Sequence, residues 1–518
     1  MSGATPQRRR ALISVYEKEG VEHLARGLHE LGFELVSSGG TAAHLEEAGL
    51  PVTRVEDVTG APELLGGRVK TLHPHIHAGI LARRDREDDV AALAEQGIEP
   101  FDVVCIDLYP FAKVAARLGP TEEQTVEMID VGGPSMLRGA AKNFAHVAAL
   151  SDTRQFEVVL RELREHGEVT LETRRRLAAE AFATTAAYEA SIAAWFASGE
   201  RFPEQLTLSF RKVSDLPYGE NPHQAAALYW EVGARKHLLS RVEQLGGREL
   251  SYNNLADLEG ARRVIRELGE PAAVIVKHAN PCGVATAETI EDAWERALAA
   301  DPLSAFGCVA ILNRPVSTAL GERIAEHFVE VLLAPAYEEG ALAALARKPA
   351  LRILQDAERR ADTPGERDFK RVVGGLLVQD RDADTQGRDG MKVVTGEVSD
   401  EAWSDLLFAW RVCKHVSSNA IVLARAGRTI GIGAGQMSRV DAVRIAVEKA
   451  RELGHDTSGA VLASDAFFPF ADGPQLALDA GIAAIVQPGG SKRDAEVKAA
   501  VEAAGAAMVL TGRRHFRH

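Results

Sequence analysis

Two short segments each pair a proton-transfer group with a cation at a point where the backbone would present both. In IVKHANPCG, residues 275–283, a β-branched apolar run delivers Lys277 and His278 together into a loop. A histidine titrates near neutrality and an ammonium stabilises a developing oxyanion, so the pair suits proton transfer beside a developing negative charge. A core histidine beside a snorkelling lysine is the plainer alternative, and it fits less well when both leave the same buried run. In MIDVGGPSMLRGAAKN, 128–143, Asp130 precedes a GGPS turn that should launch a helix, with Ser135, Arg138 and Lys142 on one face at spacings of three and four. An acid and a lysine flanking a helix N-terminus make a proton-transfer and anion site, and the competing reading is a solvated charged face.

Four further segments suit anions or flat rings. SSGGTA, 37–42, lies at a strand end and opens a helix, where unpaired N–H groups and the dipole favour a phosphate; an ordinary capped strand–helix turn has the same look. GGRVKTLHPHIHAGIL, 66–81, sets Arg68 and Lys70 after a glycine pair and spaces His73, His75 and His77 by two. An extended chain would place the three imidazoles on one face, as a metal requires. Pro74 opposes that extension and no carboxylate or thiolate nearby completes a ligand set, so hydrogen-bonded or substrate-facing histidines and no catalytic metal are expected. TIGIGAGQMSR, 429–439, is a glycine-rich strand end before a helix with Arg439 in its first turn, a second anion cradle. SDAFFPFADG, 464–473, puts Phe467, Phe468 and Phe470 in a loop suited to gripping an aromatic ring.

The elements that must position these groups alternate strand and helix. ALISVY (11–16), FELVSS (33–38), DVVCIDLYPF (102–111) and HVAALS (146–151) read as strands, with helices over 20–31 and from TAAHLEEAG to Gly49. Such alternation predicts a parallel sheet covered on both faces. A long helix over 171–196 carries Leu177, Ala181, Tyr188, Ile192 and Trp195 near one face. A segment rich in Gly, Pro and charge follows, which places a domain boundary near residue 200 and divides the chain into 1–200 and 201–518. Beyond it, 272–276, 308–312, 375–378, 420–424, 460–464, 483–487 and 508–510 are candidate strands, and 438–454 is a helix. KHANPCG and SSNAIVLA read as comparable positions of two similar α/β subdomains.

Composition narrows the classes. With 46% hydrophobic and 26% charged residues, the 518-residue chain is that of a globular protein of more than one domain. No apolar run approaches a membrane span, and the basic N-terminal segment lacks a signal peptide's apolar stretch. Cys105, Cys282, Cys308 and Cys413 form neither a disulfide framework nor a CxxC pattern, so a reduced, cytoplasmic setting is expected. A net charge of −14 argues against nucleic acid as a partner while leaving room for small anions.

SSGGT, GGRVKTLHP, DLYPF, IDVGGPSMLRGAAKN, YGENPHQ, KHANPCG, GIGAGQ, SDAFFPF and QPGGS occur in this order. Together they closely resemble the bifunctional purine biosynthesis family, which joins an aminoimidazolecarboxamide ribonucleotide (AICAR) formyltransferase to an inosine monophosphate (IMP) cyclohydrolase. The likeness runs from about Ala11 to the terminal RHFRH. It implies an α/β chain with an N-terminal methylglyoxal-synthase-like cyclohydrolase. There Ser14, Lys18, Ser38, Gly39, Gly40, Thr41, Arg68 and Thr71 would hold the nucleotide. Lys70, Tyr109, Asp130 and Lys142 match positions that assist ring closure of the formylated nucleotide (FAICAR) to IMP. It also implies a C-terminal transformylase of two cytidine-deaminase-like subdomains without their zinc ligands. His278 would take the proton from the substrate amine, with Lys277 and Asn419 supporting the oxyanion on the formyl group of 10-formyltetrahydrofolate. Arg439, Phe467, Asp472, Arg514 and His518 match nucleotide-side positions. The resemblance further implies a homodimer, because that site is shared between subunits.

Three positions depart from the family's pattern. Pro217 stands where arginine is usual before Tyr-Gly, removing a guanidinium expected at the substrate phosphate. Asp107 replaces an asparagine before Leu-Tyr-Pro, and Glu17 replaces an aspartate before Lys18. These changes leave room for an enzyme with one activity retained. A nucleotide sensor would not need Lys70, Asp130 and Lys142 together, and a zinc deaminase would need paired cysteines that Cys282 and Cys308 do not supply.

Overall fold

The computed structural model describes residues 9–117, 119–232, 234, 238–239, 242–357 and 366–518, so the first eight residues of the N-terminal segment lie outside the described residues. The chain divides into two compact units, Met1–Arg211 with Tyr229–His237, and Lys212–Leu228 with Leu238–His518.

The first unit is built on a five-stranded sheet in the order Val52–Arg54, Glu34–Ser37, Arg10–Val15, Val103–Asp107, Ala148–Leu150. Every neighbouring pair is parallel. The central strands are apolar on both faces because helices cover both. On one face, Leu24 and Leu28 of Val21–Glu30 pack with Val159, Leu160 and Leu163 of Phe156–His166. On the other, Ile76 and Ile80 of Pro74–Leu81 meet Met136 and Leu137 of Gly132–Lys142 and Ala178 and Ala181 of the long helix Leu171–Phe196. The chain order reverses between Arg10–Val15 and Val103–Asp107, where Val15 pairs with Asp107. Ligands of open parallel sheets bind at such a switch point, outside the carboxyl ends of the strands.

The second unit holds a twelve-stranded sheet made of two runs with the same plan. In one, Ala272–Lys277 lies antiparallel to both Asn280–Thr286 and Cys308–Leu312; Val329–Ala334 and Arg352–Gln355 continue in parallel, and Glu243–Gly246 closes antiparallel. In the other, Ile421–Arg425 lies antiparallel to Arg428–Gly433 and Val461–Ser464; Ala484–Gln487 and Ala507–Leu510 follow in parallel, and Lys392–Thr395 closes antiparallel. The runs meet where Ala285 pairs with Arg428. Helices Tyr252–Arg266 and Asp400–Cys413 precede the equivalent hairpins, and Ile290–Ala300 and Arg439–Glu452 follow them. The duplication is therefore present, but its register differs from the one expected. KHANPCG ends a strand at the hairpin turn, whereas SSNAIVLA begins the equivalent strand. The alternating strand directions bring both segments to one edge of the sheet as neighbours rather than as equivalents.

The expected strand at 375–378 forms, as part of Gly375–Asp380, but it pairs only with Arg367–Val372 in a separate hairpin. Its side chains are largely exposed. Strands Val329–Ala334 and Arg352–Gln355 were not anticipated, since a single charged residue in each breaks up a short apolar run.

Candidate functional site

In the first unit, two helix N-termini open on the carboxyl edge of the sheet and the 68–71 segment joins them. Ser38 is the extended residue before helix Gly39–Glu47, and Gly39 takes φ 52°, a conformation glycine adopts without steric cost. A Cβ at Gly39 would stand 3.2 Å from Lys70 Nζ, so the missing side chain lets that ammonium sit over the helix start. Thr41 Oγ accepts the Val15 N–H (3.2 Å), donates to the Val15 carbonyl (2.9 Å) and accepts from Lys18 Nζ (3.0 Å). Burial holds the Lys18 ammonium below its usual pKa, partly offset by Asp107. Ser14 is half-buried on the neighbouring strand and Gly40 is exposed. Lys70 pairs with Glu63 at 2.8 Å, and Arg68 is held by Glu127.

The second N-terminus begins Gly132–Lys142. Asp130 accepts the Gly133 N–H at 2.8 Å, and its own N–H donates to the Tyr188 hydroxyl at 2.6 Å. Thr71 is buried with its hydroxyl 2.8 Å from where a Cβ on Gly132 would stand. Burial pushes the Asp130 carboxyl above its usual pKa despite the amides it accepts. Tyr109, 42% exposed and packed against Tyr16 at 5.5 Å between ring centres, is raised first by burial and then by Asp130, with Lys70 opposing. A carboxyl, a phenol and an ammonium thus act on one another beside two helix N-termini.

Lys142 is not part of this group. It ends the helix Gly132–Lys142 that follows Asp130, roughly 15 Å along the axis from Gly132 at 1.5 Å per residue, and is exposed. With Arg138 it lies on the solvent face that the spacing equally allowed. The three histidines do not share an extended face either. Pro74 starts a helix for which His73 is the capping residue, its ring nitrogen accepting the His75 N–H. Among the described residues no group of three His, Cys, Asp or Glu is arranged to hold a metal. Asp107 accepts the Glu17 N–H at 2.9 Å, and Glu17 pairs with Lys113 at 2.7 Å. Sequence reasoning had Tyr188 only as an apolar helix residue; its hydroxyl also donates to the Met128 carbonyl at 2.9 Å and so fixes the loop carrying Asp130.

In the second unit two cavities open at the sheet edge shared by KHANPCG and SSNAIVLA. Lys277 and His278 line one of about 270 Å³, with Asn280, Asp301, Ser304 and Lys449. Lys277 Nζ donates to the carbonyls of Phe306 (2.8 Å) and Gly307 (2.9 Å). Asn419, Arg439, Phe467, Asp472 and Arg514 line the other, of about 520 Å³, with Phe470 and Phe516. Arg439 is buried between Asp465, the Ser464 hydroxyl (2.8 Å) and Asn419 Oδ1 (2.6 Å). Asn419 differs from expectation: its amide donates to the Gln436 (2.8 Å) and Met437 (3.2 Å) carbonyls, which uses both N–H groups. Its Oδ1 accepts from Arg439 and so helps to orient that guanidinium. Asp472 accepts the Gly473 N–H at 2.8 Å, and Arg514 lies over the Phe516 ring. His518 contacts the Phe516 ring at 5.5 Å and does not line the cavity. Asn280, which lines the first cavity, ties KHANPCG to SSNAIVLA, its Oδ1 accepting the Ser417 N–H at 2.8 Å. Arg517, absent from the sequence expectations, donates to the Ala279 carbonyl at 2.9 Å. Pro217 is exposed, and Arg211 before it in the chain is taken by Asp152 at 3.2 Å.

The model of the AICARFT/IMPCHase bienzyme family matches residues 140–449, and that of the MGS-like domain matches residues 20–135. Curated relatives are similar along nearly the whole chain. The bifunctional purine biosynthesis protein PurH of Chloroflexus aurantiacus is 52% identical over 514 residues, covering 98% of each chain. That of Sorangium cellulosum is 50% identical over 525 residues, covering 98% of this chain and 100% of the relative. That of Halalkalibacterium halodurans is 49% identical over 514 residues, covering 99% and 100%.

Proposed function

The chain belongs to the AICARFT/IMPCHase bienzyme family, and we propose that it divides the family's two reactions between its two units. It carries out the last two steps of IMP synthesis: formyl transfer to the amine of AICAR, then dehydrative closure of FAICAR to IMP. We assign closure to the first unit. The nucleotide phosphate would lie at the Ser38–Thr41 helix start, against Lys18 and within reach of Ser14. Arg68 and Thr71 would flank the ribose. As the carboxamide nitrogen attacks the formyl carbon, the carbonyl oxygen gains negative charge and then leaves as water. Lys70 is the cation placed to stabilise that oxygen. Asp130, whose raised pKa brings it nearer neutrality, and Tyr109 are placed to move the protons.

Formyl transfer falls to the second unit, with 10-formyltetrahydrofolate as cosubstrate. His278 accepts the proton that the aromatic amine loses as it attacks the formyl carbon; the bond from that carbon to N10 of the folate then breaks, and N10 leaves with a proton as tetrahydrofolate. Lys277 has three N–H donors and two are held by Phe306 and Gly307, which leaves one for the formyl oxygen. Arg439 and Arg514, with Phe467 against the flat base, would hold the nucleotide. With Pro217 offering no guanidinium and Arg439 paired with Asp465, Arg514 carries more of the phosphate's charge. The same reading makes the enzyme a cytoplasmic homodimer.

The observation that carries this reading is that Lys70, Tyr109 and Asp130 gather beside two helix N-termini in the first unit, while Lys277 and His278 line a cavity in the second. The test supplies the purified full chain with AICAR and 10-formyltetrahydrofolate and follows tetrahydrofolate and IMP together. Both products are expected. Tetrahydrofolate without IMP would remove closure from the first unit and implicate Asp107.

A further inference from the structure

The structure assigns Asp257 a positioning role in formyl transfer: from the neighbouring helix it holds the left-handed turn that aims His278. The inference rests on His278 being the proton acceptor and concerns what fixes that side chain. His278 and Ala279 take φ 51° and 58°. Two consecutive residues with a Cβ in this region form a turn that chain chemistry disfavours, since the Cβ crowds its own carbonyl. Something outside the turn must therefore hold it.

Asp257 does so from helix Tyr252–Arg266. Its carboxylate accepts the Ala279 N–H at 2.6 Å, and the His278 N–H faces the same group. Gly260, three residues further along the helix, lets the turn approach, because a Cβ there would stand 3.1 Å from the Ala279 carbonyl oxygen.

The duplicated half of the sheet contains the same device without the chemistry. Asp405 occupies the equivalent place in helix Asp400–Cys413, five residues after its first, as Asp257 is in its own helix. It accepts the N–H groups of Ala426 and Gly427, each at 2.7 Å, in a turn with φ 51° and 70°. That turn presents no titratable side chain at its two central positions and has glycine at the second. Where the histidine is presented, alanine replaces the glycine, so more of the turn's conformation depends on the carboxylate.

The full chain carrying Asp257→Ala should lose about 30-fold or more in formyl-transfer kcat with the nucleotide KM moving less than about threefold, because the base is misaimed while the substrate site is intact. Closure of supplied FAICAR should be unchanged. Asp405→Ala, which removes the equivalent contact in the other half, should leave formyl transfer within about threefold of the parent. Adding Ala279→Gly to Asp257→Ala should recover about fivefold or more, since glycine takes positive φ unaided. A folded Asp257→Ala protein with near-parent kcat, a loss matched by Asp405→Ala, or no recovery with glycine would each overturn the positioning role. His278→Ala, assayed alongside, keeps the two ideas apart. Retained formyl transfer there would remove the base itself, whereas an inactive His278→Ala beside an unimpaired Asp257→Ala would remove only the role of Asp257.

Discussion

Lys70 and His278 sit in different units, and under the proposed division of labour they serve different bonds, so their loss should be reciprocal. Truncating a general base costs about 10²–10⁴ in rate, and removing an oxyanion donor about 10²–10³. His278→Ala is expected to lose formyl transfer on the first scale while closing supplied FAICAR at the parent rate. Lys70→Ala should do the opposite, and equal loss of both activities in either folded variant would end the division of labour. Asp107 offers a second test at this scale, through stability. Burial holds its carboxyl above the usual aspartate range, with Lys18 and Lys113 only partly offsetting. A carboxyl whose folded pKa is raised is favoured below that pKa and becomes a cost as pH rises through it. Asp107→Asn keeps an acceptor for the Glu17 N–H and removes the buried charge. It should therefore raise the Tm of the first unit by about 1–3 °C at pH 8. The gain should shrink as pH falls through the aspartate's folded-state pKa. A Tm gain that is constant with pH would assign the effect to packing.

Among the elements, the long helix Leu171–Phe196 shows how a site can depend on a segment that carries none of its chemistry. The Tyr188 hydroxyl accepts from Asp130 N–H and donates to the Met128 carbonyl, and burial pushes its pKa up to about 12, so it remains a neutral donor. Tyr188→Phe leaves both partners half-buried without it, at a cost of about 1–3 kcal/mol. The expected outcome is closure slowed about tenfold by displacement of Asp130, with formyl transfer untouched. This dependence was not legible in the sequence, where Tyr188 is one apolar residue on a helical stripe. What was legible follows from period and punctuation. The strand at 308–312 and the long helix at 171–196 form with the expected limits, and the SSGGTA and GGPS turns open helices as their glycines suggest. Lys142 shows the limit of spacing, which places residues on a face but does not distinguish the site end of a helix from its far end. Asn419 shows another: its role turns on which carbonyls lie within 3.2 Å, and these come from Gln436 and Met437 in a loop whose path no pattern encodes. The duplication escaped at residue level because what repeats is strand order and the carboxylate behind each turn, while the turn sequences KHAN and RAGR share nothing obvious.

At the scale of the whole molecule the remaining question is whether formyl transfer belongs to one chain or two. Beside the Lys277 cavity, Leu303, Phe306 and Phe328 are 80%, 68% and 46% exposed, and the two phenyl rings pack at 4.9 Å. Apolar side chains left in water forgo about 25 cal/mol per Å² that burial would return, so the proposed homodimer would gain by covering this cluster. The cluster is tied to the proposed oxyanion donor, because the Phe306 carbonyl is one of the two that hold Lys277 Nζ. A second copy covering it would exclude water from the formyl oxygen's donor and strengthen that interaction. Phe306→Asp keeps the backbone carbonyl and makes the surface costly to bury, since a carboxylate without a partner resists desolvation. The variant should sediment as a monomer at micromolar concentration and lose about tenfold or more in formyl transfer, while closure of FAICAR stays within about twofold. A monomer with full formyl transfer would show that one chain suffices. A dimer with impaired transfer would instead locate the effect at Lys277, and the contact between copies would have to lie elsewhere on the second unit.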